Sequence, residues 1–366
     1  MHIQRVVLRN FRNIAAADIE LATGANILYG ENAQGKTNFL ESIYFCATGR
    51  SHRTGRFRDL VMLSEKEAAI KIVTQGQTGA VDEIRMEIKP EGKFSAINGL
   101  PIRKLGELYG RLSVVVFSPE DLSLVKAGPA GRRRFLDMEL CQLYPAYYHD
   151  LRMYHKVLQQ RNSLLREAGG GAGLYETLDV WDEQLAEYGN KIMWARHNFI
   201  ERLGRIAAEN QRNITGGREN LEILYDRDVN ESEFLAALKK KRPADILRGT
   251  TSSGIHRDDL EFRINGEIGR SFASQGQQRT AVLAVKMAEI EIVRQEKGYP
   301  PVLLLDDVLS ELDEGRQNYL LNSIDGLQTI ITSTGAENAT GGYSRKEGAR
   351  VFVVKNGAIS PAAKEG

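Results

Sequence analysis

The segment GENAQGKT, residues 30–37, carries the clearest chemical signal in the sequence because it matches the pattern GxxxxGK[ST]. Its glycines let backbone amides curl around phosphate groups, and it stands between a predicted strand and a predicted helix, as such a loop requires. Lys36 is predicted to neutralise the β- and γ-phosphates, in binding and in catalysis, and the Thr37 hydroxyl to bind Mg²⁺. The predicted cofactor-binding residues are Gly30, Glu31, Asn32, Ala33, Gln34, Gly35, Lys36 and Thr37. The expected ligand is a nucleoside triphosphate.

A second segment, PVLLLDDVLSELD at residues 301–313, supplies an apolar strand that ends in two carboxylates. Asp306 is predicted to hold the Mg²⁺ shell, and Asp307 to orient or deprotonate the attacking water as a catalytic residue. Two solvated acids at the end of a strand are the plainer interpretation of the same letters. The phosphate loop elsewhere in the chain favours the metal and catalytic roles.

The third segment, SFASQGQQRTA at residues 271–281, places serine and glycine just before a strongly helical stretch. A helix N-terminus offers free N–H groups and a positive dipole end to an anion. Compact P-loop kinases and GTPases have no room for the stretch between residues 37 and 301, whereas the ATP-binding-cassette class places a helical lobe there, followed by a signature loop. In that class the signature loop caps the γ-phosphate of a partner subunit, which predicts a site shared across a homodimer with ATP as cofactor. The residues predicted to complete it are Ser274, Gly276 and Gln277, with a plain serine N-cap as the alternative.

The elements that would position these segments follow from hydrophobic periodicity. Strands are predicted at IQRVVLRNF, AAADIEL and ANILYG, then a helix at KTNFLESIYFCAT, then short strands up to RLSVVVF with a hairpin turn at Asn98-Gly99. Between residues 131 and 213, two long helical stretches separated by GGGAG at 169–173 predict a helical hairpin. An α/β pattern returns from LEFRING onward, with strands at PVLLLDDV, TIITST and ARVFVVKNG.

This order predicts an α/β fold, an ABC-type P-loop ATPase head with an inserted α-helical lobe. The discontinuous ATPase domain, lobe I, is expected at residues 1–120 and 250–366, and the inserted lobe II at residues 121–249. A chain of 366 residues exceeds the usual size of a single core, which agrees with two lobes.

Composition limits the location and the partners. The chain has 49 Lys and Arg against 48 Asp and Glu, and the net charge of +1 neither predicts nor excludes a polyanionic partner. Two cysteines fit a reducing compartment without a disulfide framework. The sequence has no signal-peptide core and no apolar run of about 18 residues, so we expect a cytoplasmic protein without a membrane partner.

Taken together, these segments make the sequence resemble the RecF family of bacterial recombination mediators. The matching segments are NFRNI at 10–14, GENAQGKTNFLE at 30–41, FSPEDL at 117–122, GRRRFLD at 131–137, GIHRDDLEF at 254–262, SQGQQ at 274–278 and the DDVLSELD block. The resemblance implies an ATPase head related to the structural-maintenance-of-chromosomes (SMC) proteins, without their long coiled coil. It also implies an ATP-dependent homodimer that clamps single-stranded and duplex DNA at gap junctions and supports RecA loading with RecO and RecR. A weak, DNA-stimulated ATPase is implied, in which slow hydrolysis releases the DNA.

The sequence departs from the wider cassette pattern at three places. Asp307 stands where a glutamate is common, and its shorter side chain predicts slow hydrolysis. The strand TIITST ends in Thr332, Ser333 and Thr334 instead of a switch histidine, so a γ-phosphate sensor must be a hydroxyl or be absent. FSPED contains no glutamine, which leaves the metal contact expected there in doubt.

DNA contacts require clustered basic side chains on one face. The predicted contacts are Arg53, Arg56, Arg132, Arg133 and Arg134, and further candidates are Arg50, Arg58 and the KKKR run at 239–242. A solvated helix face or a structural ion pair is the alternative for each cluster. Arg53 has a second interpretation, an approach to the nucleotide or to the partner subunit. His256 is expected to make a structural hydrogen bond instead of binding metal, because no other His or Cys stands at ligand spacing.

The sequence disfavours three other functions, each through a feature that it lacks or carries. The ATP-binding subunit of an ABC transporter would carry a glutamine loop and a switch histidine. An SMC-like chromosome-organising protein would carry longer helical arms and a hinge. A small-molecule kinase would not require the signature loop.

Overall fold

The computed structural model describes residues 1–167, 174–335 and 348–362. The GGGAG segment expected between the two helical stretches lies outside the described residues. The chain divides into two units, of which the first comprises Met1–Asp121 and Lys286–Gly366 and the second Leu122–Val285. The second unit begins beside the predicted boundary, but it also includes residues 250–285, which the sequence analysis assigned to the ATPase domain.

The strands and helices of the described residues, in chain order, are as follows. The strands are β1 (His2–Phe11), β2 (Ile14–Glu20), β3 (Ala25–Tyr29), β4 (Ala68–Gln75), β5 (Val81–Lys89), β6 (Gly92–Ile97), β7 (Leu100–Ile102), β8 (Val114–Phe117), β9 (Leu221–Asp226), β10 (Asp259–Ile264), β11 (Glu267–Ile268), β12 (Val302–Asp306), β13 (Thr329–Ser333), β14 (Arg350–Lys355) and β15 (Ala358–Pro361). The helices are α1 (Lys36–Thr48), α2 (Ser123–Lys126), α3 (Pro129–Leu143), α4 (Pro145–Glu167), α5 (Leu174–Thr215), α6 (Phe234–Arg248), α7 (Gly269–Phe272), α8 (Gln275–Lys297) and α9 (Glu314–Ser323).

The first unit contains a sheet in the order β15-β14-β3-β13-β12-β8, in which every neighbouring pair is parallel except β14 with β15. Strands β12 and β13 are buried along their whole length, which explains their apolar sequences. Strands β3, β13 and β12 are adjacent and parallel. Their carboxyl ends therefore meet at one edge of the sheet, where the loop after β3 and the carboxylates at the end of β12 both emerge. The strands predicted at ANILYG, PVLLLDDV, TIITST and ARVFVVKNG are confirmed.

A second sheet of the first unit has the order β2-β1-β4-β5-β6-β7 and is antiparallel throughout. Buried and partly exposed residues alternate along β4, so one face of this sheet packs on the core. Helix α1 contributes Phe39, Ile43 and Cys46 to the same hydrophobic core, as its periodicity predicts. The predicted hairpin turn joins β6 to β7, with a positive φ at both Asn98 and Gly99.

The first of the two predicted helical stretches, which we call the first arm, is two helices in the structure instead of one. α3 ends at Leu143, Tyr144 adopts an extended conformation, and α4 begins at Pro145. The cause is local, because proline disfavours helical geometry in the preceding residue and is well placed in the first turn of a new helix. The second arm, α5, is a single helix of 42 residues, and α4 packs along it.

A three-stranded sheet, β11-β10-β9, explains why residues 250–285 belong to the second unit. β10 pairs with β9 from Asp259↔Asp226 to Ile264↔Leu221, and β9 packs against α5. The sequence pattern of LEFRING predicts a strand correctly, but it does not reveal that its partner precedes α6. No helix of the described residues is both long and apolar enough to cross a membrane.

Candidate nucleotide-binding site

The loop between β3 and α1 has a backbone that favours glycine. Gly35, directly before α1, has φ 117°, and Ala33 has φ 64°. A Cβ atom added to Gly35 would lie 2.8 Å from Oδ1 of Asn13. The loop therefore needs glycine at position 35 both for its φ angle and for the space beside Asn13.

Lys36 is buried inside this loop. Its side chain is 7% exposed, and its Nζ donates hydrogen bonds to the carbonyl oxygens of Gly30 at 2.6 Å and Glu31 at 2.7 Å. Burial lowers the pKa of Lys36, and the carboxylates of Asp307 and Asp306 act in the opposite direction. Within the described residues no carboxylate lies within ion-pair distance of Nζ, so this charge is available for an anionic ligand.

Gln34 has a structural role in addition to its place in the predicted phosphate loop. Its Oε1 accepts a hydrogen bond from the Asn356 N–H at 2.5 Å, and its backbone oxygen accepts one from the Gly357 N–H at 2.9 Å. A Cβ atom at Gly357 would lie 2.0 Å from the backbone oxygen of Asn13, so the turn that contains Gly357 packs closely on the turn that contains Asn13. The turn between β14 and β15 and the turn between β1 and β2 therefore both brace the loop, through residues that the sequence analysis did not single out.

Asp306 ends β12 and lies next to the first helical turn after the loop. Its side chain is almost fully buried, and its Oδ1 accepts hydrogen bonds from the hydroxyls of Thr37 and Thr332, both at 2.8 Å. Burial raises the pKa of Asp306, while the two hydroxyls lower it. The structure thus brings together Thr37 and Asp306, the two residues predicted to hold the metal. A hydroxyl and a carboxylate oxygen are hard ligands of the kind that Mg²⁺ prefers.

Asp307 follows with a φ of 53°, in the left-handed region that is costly for a residue with a side chain. Its N–H donates a hydrogen bond to Thr332 Oγ1 at 3.0 Å. Thr332 therefore bonds to both aspartates, which the sequence signalled only through its place at the end of β13. Because Thr332 donates its proton to the Asp306 carboxylate and is 2% exposed, its hydroxyl is committed to Asp306 instead of a phosphate.

The FSPED segment places two acids and no glutamine after β8. Asp121 Oδ2 accepts a hydrogen bond from the Ser118 N–H at 2.6 Å, and its Oδ1 pairs with Lys286. Glu120 is exposed, and its charge is among those that raise the pKa of Asp306. Burial lowers the pKa of the neighbouring His52, whose Nδ1 has no hydrogen-bond partner within the described part of the chain.

The signature segment lies in the second unit, at the start of α8. The Ser274 N–H donates to Gln277 Oε1 at 2.9 Å, and the Gln277 N–H donates to Ser274 Oγ at 3.3 Å. This reciprocal pair is a capping box, so the serine does serve as a helix cap. Ser274 is also exposed and Gly276 lies in the first turn, which leaves this helix start open to solvent.

Arg132, which was predicted to contact DNA, lies in the interior of the second unit. It is 2% exposed, and its Nε and Nη2 donate to the two carboxylate oxygens of Asp259 at 2.7 and 2.8 Å. A guanidinium that is buried and paired in this way cannot leave for a phosphate without stranding a carboxylate. The prediction for Arg132 is therefore wrong, and the alternative of a structural ion pair is correct.

The other predicted basic contacts differ in exposure. Arg133 is half-buried and donates to the Asp258 oxygen at 2.6 Å, whereas Arg134 is exposed. In the first unit, Arg53 and Arg56 are both exposed on the segment that follows α1.

Two candidates from the helical unit serve structure. In the KKKR run, Arg242 is buried and donates to Asp182 at 2.7 Å and to Asp179 at 2.6 Å. His256 makes the structural hydrogen bonds expected of it, with the Tyr154 hydroxyl at 2.9 Å and the Thr251 oxygen at 3.2 Å.

Comparison with known proteins shows the family of the chain. The family model described as the RecF/RecN/SMC N terminal domain matches residues 2–360. The DNA replication and repair protein RecF of Lachnoclostridium phytofermentans is 46% identical over 361 residues, which cover 98% of this chain and 99% of that protein. The protein of the same name from Clostridium botulinum is 44% identical over 365 residues, with the same shares covered.

Solved structures give the same assignment. The recombination mediator protein RecF with ATP, from the RecFOR pathway, superposes with a TM-score of 0.91 at 35% identity and covers 99% of this chain and 98% of that chain. An SMC head bound to the C-terminal winged-helix domain of ScpA superposes with a TM-score of 0.58 at 15% identity, covering 100% and 98%, which is a likeness of fold alone. The predicted fold class, an ABC-type ATPase head with an inserted helical lobe, is confirmed. The chain belongs to the RecF/RecN/SMC family and, within it, to the RecF proteins.

Proposed function

We propose that this chain is an ATP-dependent DNA-binding protein of recombinational repair and replication, in which ATP closes a homodimer around DNA. The observation that carries the proposal is the convergence of two features at one edge of the parallel sheet: a buried Lys36 that has no carboxylate partner among the described residues, and the Thr37–Asp306 pair. Relatives named RecF, similar over nearly the full length, support the repair role over the transporter and chromosome-organising alternatives. The proposal places the protein in the cytoplasm, where ATP and chromosomal DNA occur together.

Within the site, each residue has a defined task. The amides of the loop cradle the phosphates, and Lys36 exchanges carbonyl contacts for phosphate oxygens, which strengthens its hydrogen bonds because the acceptor is charged. Thr37 and Asp306 would hold Mg²⁺, which when bound neutralises charge on the β- and γ-phosphates. Thr332 fixes the orientation of Asp306 through its hydrogen bond to Oδ1.

Asp307 is the proposed catalytic carboxylate that orients the attacking water. Its strained φ and its N–H bond to Thr332 hold the residue at the sheet edge beside Asp306. An aspartate reaches less far than a glutamate, which supports weak ATP hydrolysis with a switch role. Stimulation of that hydrolysis by DNA is part of the proposal.

The second half of the site is proposed to come from another subunit. Ser274, Gly276 and Gln277 lie at an exposed helix start, where N–H groups and the dipole favour an anion. They would cap the γ-phosphate of the nucleotide held by the partner's loop. Hydrolysis would remove that phosphate, open the dimer and release DNA.

The proposed DNA and protein partners are supported by the relatives of this chain. The proposed substrates are single-stranded and duplex DNA at gap junctions, contacted in part by Arg53, Arg56 and Arg134. RecO and RecR are the proposed partners, because the RecF structures that this chain matches belong to the RecFOR pathway. Loading of RecA would be the outcome.

A mixing experiment tests the proposed function. Ser274→Arg should bind ATP as a monomer but fail to form the ATP dimer, because the arginine fills the space that the partner's phosphate must enter. Lys36→Ala should bind ATP too weakly to form the ATP dimer. A mixture of the two inactive proteins should recover part of the ATPase activity, because one composite site keeps an intact loop and an intact signature. Parent-rate hydrolysis by Ser274→Arg alone would contradict the shared site.

DNA binding is tested directly by measuring the affinity of the full-length protein for single-stranded, duplex and gapped DNA, with and without ATP. Binding that strengthens with ATP is the expected result. Normal ATP binding without DNA binding in any nucleotide state would exclude the proposed function.

A further inference from the structure

A segment rich in arginine follows α1 in the first unit. Residues 49–58, GRSHRTGRFR, contain four arginines and no acid, and we call them the arginine segment. Arg50, Arg53, Arg56 and Arg58 are all exposed. An exposed run of one charge sign suits the phosphate backbone of a nucleic acid.

At the Arg50 end of the segment, no ion pair with an acid is formed within the described ranges of the chain. Lys93 of β6 donates a hydrogen bond to the Gly49 oxygen at 2.9 Å, which brings its ammonium beside Arg50. Burial lowers the pKa of Lys93, and the charge of Arg50 lowers it further. Two like charges in proximity gain from a bound anion.

Arg53 connects the segment to α1. Its Nη1 donates to Asn38 Oδ1 at 2.9 Å and lies 3.4 Å from Oε2 of Glu41. Asn38 Nδ2 in turn donates to Asn13 Oδ1 at 2.8 Å. The Asn13 amide lies against the phosphate loop, where its Nδ2 is 3.4 Å from the Ala33 oxygen. A chain of side-chain contacts thus runs from Arg53 through Asn38 and Asn13 to the backbone of the nucleotide loop.

The contacts of Glu41 show which residue in this series of side-chain contacts can change its partner. Its side chain is fully buried; burial alone would raise its pKa, but hydrogen bonds from Arg12 and Ser51 outweigh that effect. Arg12 holds both carboxylate oxygens, at 2.8 and 2.9 Å, whereas Arg53 makes one longer contact and has a side chain that is 36% exposed. Glu41 therefore stays neutralised when Arg53 turns away, and Arg53 is the partner free to exchange.

We propose that Asn38 is a positioning residue that couples the nucleotide loop to DNA binding, by holding or releasing Arg53 of the arginine segment. ATP in the loop shifts Asn13 and Asn38, Arg53 leaves Asn38 for a DNA phosphate, and each ligand strengthens the binding of the other. This inference rests on the proposed function and specifies how DNA binding is regulated.

The test measures DNA affinity with and without ATP and takes the ratio of the two values. Coupled sites typically give ratios of about 5–150, and the same ratio must appear when ATP affinity is measured with and without DNA. Asn38→Ala should lower both ratios, leaving only the part that dimer closure contributes, while ATP affinity in the absence of DNA stays within about twofold of the parent. Asn38→Asp is the second variant: its carboxylate would hold Arg53 in an ion pair and cannot donate to Asn13, so it should lower both ratios as well.

Arg58→Ala is the matched control in the same segment. Arg58 donates to the Pro90 oxygen and has no contact with Asn38, so its loss should weaken DNA binding equally with and without ATP and reduce the salt dependence. Arg53→Ala should lower the ratio. A parent-like ratio in both Asn38 variants would overturn the coupling while leaving the proposed function intact. If the parent protein bound no DNA in any nucleotide state, both the coupling and the proposed function would be overturned.

Discussion

Buried charges are satisfied in opposite ways in the nucleotide loop of the first unit and in the helical second unit. In the loop, the ammonium of Lys36 is bonded to two carbonyl oxygens. In the second unit, Arg196 is 1% exposed and pairs with Asp137 at 2.8 Å and Asp258 at 3.2 Å. Arg161, fully buried, pairs with two further aspartates. A buried cation that already has carboxylates serves the fold, while one that has only dipoles is prepared for an anion.

Removing a buried cation that is paired with carboxylates should have the largest effect on stability. Arg196→Met would leave Asp258, which is 1% exposed, without the cation of its ion pair, and we expect a loss of about 3–5 kcal/mol in the stability of the second unit. Urea unfolding and amide exchange along α5 measure the effect.

Arg205→Met is the control on the same helix, because Arg205 is exposed. It should change the stability by less than about 0.5 kcal/mol. An equally small effect at position 196 would remove the structural interpretation of the arginine network.

Lys36→Ala should have the contrary outcome, with a large loss of ligand binding and none of stability. A charge-assisted hydrogen bond contributes about 1.5–3 kcal/mol, so ATP affinity should fall about 10- to 100-fold. The unfolding midpoint without nucleotide should not fall, because the change removes a buried charge that has no carboxylate partner in the part of the chain that the structure describes. Calorimetric ATP titration and thermal unfolding give the two quantities, with Lys66→Ala at an exposed position as the control. A substantial fall in the midpoint would place Lys36 with the structural cations.

The same comparison explains what could be predicted from the sequence. The placement of Lys36 in the loop and of Thr37 beside Asp306 could be predicted, because a contiguous motif fixes the local geometry and the order of parallel strands brings the motifs to one edge. Arg132 was misassigned because RRR has the same letters whether it faces solvent or Asp259, and that partner is distant in sequence. Asn13 and Gly357 were missed for a related reason, since their contacts with the loop depend on the packing of two separate turns.

Asp306→Asn tests how burial of a carboxylate in the nucleotide-binding site changes the pH dependence of stability. Burial raises the pKa of Asp306, so the folded state favours its protonated form and the ionised carboxylate costs stability at neutral pH. The stabilising contribution of the neutral form is therefore lost as the pH rises through the folded pKa. The asparagine stays neutral, so the variant without nucleotide should have a Tm a few degrees higher than the parent at pH 7. Well below the ordinary carboxyl pKa of about 3.9 the two proteins should converge. A lower Tm at pH 7 would mean that the Thr37 and Thr332 bonds outweigh burial.

The smallest expected effect concerns the neutral hydrogen bonds that hold the loop in place. Gln34→Ala removes the acceptor for the Asn356 N–H, a bond of about 0.5–1.5 kcal/mol, so ATP affinity should fall by less than about tenfold. Amide exchange at Asn356 should become faster by a similar factor, because that N–H loses its only side-chain acceptor in the described part of the chain. Asn32→Ala is the control within the same loop, since Asn32 is exposed and its side chain has no hydrogen bond among the described contacts. Faster exchange in the Asn32 variant as well would mean that general loosening of the loop, and not the single Gln34 contact, governs the turn. If Gln34→Ala lowered ATP affinity while amide exchange at Asn356 became slower, the bond between Gln34 and Asn356 would not be what holds the loop in its ATP-binding geometry.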